Sequence, residues 1–219
     1  MRHLGVGDFI VFFIQYGFFL IAASVHESSH AWTAYRFGDP TAKMQGRISL
    51  NPAHHIDIIG TVIIPFMVFL SGIPIIGWAK PTPVNPNNFA NPRKDGMFVS
   101  GAGPISNLIA ATLLALIWHV FTLLPDMLGG FFSIGRYVLT IGILVNLMLA
   151  VFNMLPIYPL DGSGVLEGLL PQEWAAAYAR TRPYGFIILL ILFYTGPFKG
   201  LIWNVVSFLA KLLGITGLF

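Results

Sequence analysis

His26 and His30, with Glu27 between them, form the pattern H-E-x-x-H in the run Val25-His26-Glu27-Ser28-Ser29-His30-Ala31. Four residues is close to one helical turn, so on a helix both imidazoles share a face and can reach a single ion. Glu27 projects beside that face, where its carboxylate can take a proton from an activated water. That is the chemistry of metal-assisted hydrolysis. The pattern fixes only three residues, and its competing reading is a polar helix end at a membrane surface. Location favours a site, because residues 18–25 are apolar and Ala31-Trp32 follows, surroundings in which unpartnered charge is costly.

A zinc site built on two histidines needs a third protein ligand, with the fourth position left for water. The chain contains no cysteine, so histidine and carboxylate must supply the ligands. Of its nine acidic residues, Asp161 is the best placed, in Asn153-Met154-Leu155-Pro156-Ile157-Tyr158-Pro159-Leu160-Asp161-Gly162 at the close of an apolar segment. Asp8, Asp39, Asp95 and Asp126 sit in loops or termini, and Glu167 and Glu173 in polar surroundings. Asp57 can simply cap the apolar stretch that it begins. Pro156 and Pro159 break the helix, an irregularity tolerated at membrane depth only where it is buried or lines a cavity.

The elements that must position these groups belong to a membrane. Of 219 residues, 56% are hydrophobic and only 10% charged, against roughly 25% charged in soluble domains. The apolar run after residue 8 leads into the candidate site instead of a cleavage motif, so no cleavable leader is expected. The net charge of +3 comes from scattered basic residues and excludes a nucleic-acid patch. The expected fold is an all-α polytopic membrane protein: a bundle of about five transmembrane helices, a re-entrant hairpin and short surface β-strands. One membrane-embedded domain is expected over residues 1–219, with a core at about 8–170 and a C-terminal helical hairpin at about 183–215. Residues 9–37 read as the helix carrying the histidines, and 41–52 as a short hairpin or edge strand through the Ile48/Leu50 alternation. Residues 78–91 read as proline-rich extended chain, and 97–124 and 131–155 as full spans.

For His26, His30 and Asp161 to meet, one full crossing must separate the first helix from residues 131–155. The interrupted stretch 56–77 is therefore expected to turn back, with Pro65 or Gly72-Ile73-Pro74 at the bend. Arg36, Lys43, Arg47, Lys80, Arg93, Lys94, Arg180 and Arg182 then fall on one side, with Arg2 and Arg136 on the other. The positive-inside rule makes the site face cytoplasmic and the N-terminus external.

H-E-x-x-H combined with N-x-x-P-x-x-P-L-D-G resembles the site-2 protease family of intramembrane zinc peptidases, in its compact form without regulatory domains. Gly46-Arg47-Ile48, Asn51-Pro52-Ala53-His54-His55-Ile56-Asp57, Gly77-Trp78-Ala79-Lys80-Pro81 and Ala102-Gly103-Pro104-Ile105-Ser106-Asn107 extend the resemblance over roughly residues 17–170. Gly162-Ser163 stands where the family often has two glycines, a change that touches no ligand. The resemblance implies one Zn2+ held by His26, His30 and Asp161, with Glu27 as general base. It suggests that Asn153 holds the substrate peptide or its oxyanion, and it favours a gating or substrate role for His55. On the residues alone, His55 and His54 read as interfacial loop residues, and Asn107 as an inter-helix hydrogen-bonding residue with a site role as its alternative. The expected partners are transmembrane protein substrates and the lipid bilayer of a bacterial or archaeal cell membrane. Strand-like composition at 41–52 and 78–91 suggests pairing with an unwound substrate by β-augmentation. The competing functions are a catalytically silent scaffold for transmembrane partners and a small metal or ion transporter.

Overall fold

The computed structural model describes residues 5–71, 77–124, 130–194 and 196–215. Its helices, in chain order, are α1 (Val6–Arg36), α2 (Thr41–Met44), α3 (Ile64–Ser71), α4 (Pro92–Leu123), α5 (Phe131–Asn153), α6 (Asp161–Leu169), α7 (Gln172–Ala179), α8 (Gly185–Tyr194) and α9 (Gly196–Leu212). A π-helical turn, Ile58–Ile63, leads directly into α3. The boundaries follow local chemistry. α1 runs without proline until Gly38-Asp39-Pro40 stops it. α4 opens on Pro92 after Asn91, whose side chain accepts the Lys94 N–H while the Asp95 carboxylate accepts the Asn91 N–H, a reciprocal cap.

α1, α4 and α5 form the centre of the molecule. Their contact faces carry small residues: Ala22, Ala23 and Ala31 on α1, Gly103 and Ala111 on α4, and Gly142 on α5. Between apolar helices in lipid there is no hydrophobic force to gain, so close backbone approach and buried hydrogen bonds hold the contact. Asn107 of α4 does this at the crossing of all three. Its amide donates to the Ala22 carbonyl of α1 at 3.1 Å and to Asn146 Oδ1 of α5 at 3.0 Å. A second, apolar cluster joins Ala111 and Ala115 to Ile143, Leu147 and to Ile202 and Val206 of α9. The outward faces of α1 and α4, including Ile10, Phe13, Ile109 and Leu116, are exposed and apolar, as lipid contact requires.

The expected count of spans is corrected. Among the described residues, three helices, α1, α4 and α5, are long and apolar enough to cross a membrane. α8 has 10 residues and α9 has 17, short of the roughly 20 that a crossing needs. The expected surface strands are also corrected: no strand occurs among the described residues. The 41–52 stretch starts with α2, and its Ile48/Leu50 alternation has no partner ladder. There the Ser49 carbonyl is bonded to the His55 ring and Arg47 donates to the His54 carbonyl. Residues 78–84 form neither helix nor strand, and Pro81 and Pro83 remove donors that a ladder would use. As for the expected bend in 56–77, Pro65 lies inside α3, and Gly72-Ile73-Pro74 falls outside the described residues. The chain beyond them meets the start of the segment again: Trp78 N–H donates to the Gly60 carbonyl at 3.2 Å, and the Thr61 hydroxyl to the Trp78 carbonyl at 2.9 Å.

Candidate metal centre

One helical turn of α1 presents His26 and His30, both buried, toward α4 and the start of α6. Asp161 reaches the same point from the first residue of α6. Its Oδ2 lies 2.9 Å from His26 Nε2 and 3.3 Å from His30 Nε2. One ligand atom from each of the three residues lies within 4.8 Å of the others, the only such group among the described residues.

The far side of each imidazole is engaged. His26 Nδ1 is 2.6 Å from Asn107 Oδ1, and His30 Nδ1 is 2.7 Å from the Val99 carbonyl. Both partners are acceptors, so each Nδ1 donates and each Nε2 is the nitrogen left facing Asp161, where it could ligate an ion. Two imidazole nitrogens and a carboxylate oxygen converging in this way fit a zinc ion with one open position. Gly103 provides the clearance: a Cβ there would stand 2.5 Å from both Nε2 atoms.

The loop between α5 and α6 delivers Asp161. Gly162 packs so closely on the Met154 and Leu155 carbonyls that no side chain would fit. Tyr178 donates to the Pro156 carbonyl at 2.9 Å, and Tyr158 to Glu167 Oε2 at 2.6 Å. Arg182 completes the cluster, 3.0 Å from Glu167 and stacked over the Tyr158 ring. Burial and the Glu167 carboxylate push the Tyr158 hydroxyl up to about 12, so it remains a donor throughout the physiological range.

Glu27 lines the same cavity of about 710 Å3 as the three candidate ligands, with Thr82, Asn153, Phe19, Leu149 and Phe152 in its wall. The Glu27 carboxylate accepts from Thr82 N–H at 2.8 Å and from the Thr82 hydroxyl at 2.7 Å. Asn153 borders the cavity, and its amide donates to the Leu149 carbonyl at 3.0 Å. Asn107 stands behind His26, with its carbonyl oxygen on the imidazole and its amide on Ala22 and Asn146. His55 is buried outside that wall, 2.7 Å from the Ser49 carbonyl through Nε2, while its Nδ1 has no hydrogen-bond partner among the described residues. Burial, with Arg47 nearby, pushes the His55 pKa down and keeps the ring neutral.

Thr82, Asn146 and the Val99 carbonyl were not singled out from sequence. A signal existed for two of them. Asn146 is an amide in the middle of an apolar helix, and Thr82 bears the single N–H between two prolines.

No protein-family profile matches the chain, and no solved structure matches it. Curated relatives do. The chain is 40% identical over 191 residues to "Putative zinc metalloprotease YwhC" of Bacillus subtilis, covering 86% of this chain and 83% of that protein. It is 30% identical over 207 residues to each "Putative zinc metalloprotease Rip2" of Mycolicibacterium smegmatis and Mycobacterium tuberculosis, covering 94% of this chain and 76% of theirs. The chain belongs to this family of zinc metalloproteases. The matches to the Rip2 proteins cover 94% of this chain, so His26, His30 and Asp161 lie within the shared region.

Proposed function

We propose that the protein is an intramembrane zinc endopeptidase of the site-2 protease type, hydrolysing peptide bonds in or near transmembrane segments of membrane proteins. The observation that carries this reading is the position of the His26–His30–Asp161 group and Glu27, on one cavity walled by membrane-spanning helices. Beside that cavity lies a groove of about 1110 Å3 between α1, α3, α5 and α9, and the two share Phe19, Leu149 and Phe152 in their walls. Such a groove suits an apolar substrate segment arriving from the bilayer.

His26, His30 and Asp161 hold the zinc, and Asn107 and Val99 keep the imidazoles in the ligating tautomer. When bound, zinc supplies a Lewis acid that polarises a carbonyl and makes a water acidic near neutral pH. Glu27 takes the proton of the attacking water and returns it to the departing amine, so the protein ends unchanged. Asn153 is the candidate for holding the substrate backbone or its oxyanion. The basic residues Arg36, Lys43, Arg47, Lys80, Arg93, Lys94, Arg180 and Arg182 support an orientation with the site toward the cytoplasm.

The test is zinc stoichiometry and cleavage of a model transmembrane substrate in detergent. Wild type is expected to carry zinc and cut. Glu27→Gln should keep the zinc and lose about 10²–10⁴-fold in rate, and Asp161→Ala should lose the zinc. A wild type that binds zinc but cuts nothing refutes the endopeptidase reading. An Asp161→Ala variant that binds as tightly as wild type refutes the ligand assignment.

A further inference from the structure

Residues 78–84, Trp78-Ala79-Lys80-Pro81-Thr82-Pro83-Val84, form part of the cavity wall over Glu27. Pro81 and Pro83 have no N–H, so Thr82 holds the one backbone donor between Lys80 and Val84. Pro83 also keeps Thr82 extended. The segment is fastened on both sides of Thr82. Upstream, Lys80 N–H donates to the His55 carbonyl at 2.9 Å, and the buried Arg47 guanidinium grips the Lys80 and Pro81 carbonyls. Downstream, Asn85 N–H donates to the Asp39 carboxylate at 2.7 Å. These bonds leave Thr82 little freedom, and both of its donors lie within reach of the same oxygen, Glu27 Oε2, at 2.8 and 2.7 Å, with the Glu27 main-chain carbonyl a second acceptor for the hydroxyl at 2.9 Å. Among the described residues, no bond falls on Oε1.

We infer that Thr82 is a positioning residue for Glu27, and this rests on the endopeptidase reading above. A glutamate carboxylate turns easily about its last torsion, a broad sp³–sp² rotation. Two donors on Oε2, both strengthened by the carboxylate charge, stop that rotation. They divide the labour between the two oxygens: Oε2 is the anchor, and Oε1 is the oxygen that accepts the proton of the attacking water and later releases it to the amine. The Lys80 and Thr82 N–H groups are both committed to partners within the protein, so what Thr82 contributes to the reaction passes through the base.

The experiment compares wild type, Thr82→Val and Thr82→Ser as zinc-loaded full chains in detergent, with bound zinc, kcat and KM measured on a transmembrane substrate. Valine keeps the shape and the N–H but removes the hydroxyl. It should retain zinc and KM and lower kcat about 10-fold or more, the range of outer-shell partners, whereas serine should restore kcat. In the metal-free protein, Thr82→Val should lower the melting temperature of the wild-type chain more than that of Glu27→Ala, in which the hydroxyl keeps only the main-chain carbonyl as acceptor. A valine variant with wild-type kcat, or with lost zinc or raised KM at unchanged kcat, overturns the inference, as does a serine variant that fails to restore the rate. A wild type that cuts nothing fails the endopeptidase reading itself, whereas an active wild type indifferent to Thr82→Val fails the positioning role alone.

Discussion

Adding one methyl group at Gly103 should abolish tight zinc binding without unfolding the protein. A Cβ at this position would lie 2.5 Å from His26 Nε2 and 2.5 Å from His30 Nε2, against ordinary contacts of about 3.5 Å. Each imidazole would have to retreat by about 1 Å, several times the roughly 0.2 Å within which ligand distances hold. Outer-shell changes alone cost about 10–100-fold in affinity. Displacing two ligands directly should reach at least the upper end, near 100-fold or about 2.8 kcal/mol. Without metal, the terms oppose each other: alanine favours a helix by up to about 1 kcal/mol, and crowding costs about 1–3. Gly101→Ala is the matched control, since a Cβ there meets Val165 at 3.7 Å and Ile105 at 3.8 Å, ordinary contact distances. Competition with a chromophoric chelator measures affinity, and melting of the metal-free proteins measures folding. Wild-type zinc affinity in Gly103→Ala, or an equal loss in Gly101→Ala, would refute the placement of the imidazoles.

Asn107→Ala should lower zinc affinity about 10–100-fold, because His26 loses the acceptor that sets its tautomer; the same chelator competition reads it. For Asp39, burial alone would raise the pKa, but bonds from Thr41, Asn85 and Asn88 outweigh it and hold the carboxyl below its usual value. A depressed pKa stabilises the fold above the unfolded value of about 3.9 and loses that effect as pH falls through the folded one. Asp39→Asn should therefore melt below wild type at neutral pH, and the gap should close under acid conditions; a gap that stays constant with pH would contradict this. Stripping zinc with a chelator should lower the melting temperature of wild type, by roughly 4 kcal/mol of stability if zinc stood at 1,000 times its dissociation constant. The same chelator should leave the melting of Asp161→Ala unchanged.

The site was most legible where its geometry is local. His26 and His30 are one turn apart on any helix, so their shared face follows from spacing alone. Asp161 stands 135 residues from His26 and emerged only by weighing the few acids available. Thr82 lies 55 residues from Glu27, and nothing in its neighbourhood announces a carboxylate partner. Asn107 was read as a hydrogen-bonding residue between helices, but its role behind His26 depends on which way α4 faces. The fold was least legible where apolar runs are short. The last two runs are plainly apolar, yet apolar composition alone does not make a span, and among the described residues neither α8 nor α9 reaches that length. Ile48/Leu50 alternates like a strand, but a strand needs a neighbour with free donors and acceptors, and here side chains take them first.

The distance along the chain between His26 and Asp161 also sets an order of events during synthesis. The base and two imidazoles are made early, and the carboxylate that completes the donor set follows 135 residues later. At about 5–20 residues per second, that gap is on the order of ten seconds. During it, a nascent chain carries Glu27 inside the membrane with no complete site for an ion. The hydrolytic machinery therefore cannot be loaded until α1, α4 and α5 have all been made. A chain that ends short of Asp161 lacks one of the three converging donors.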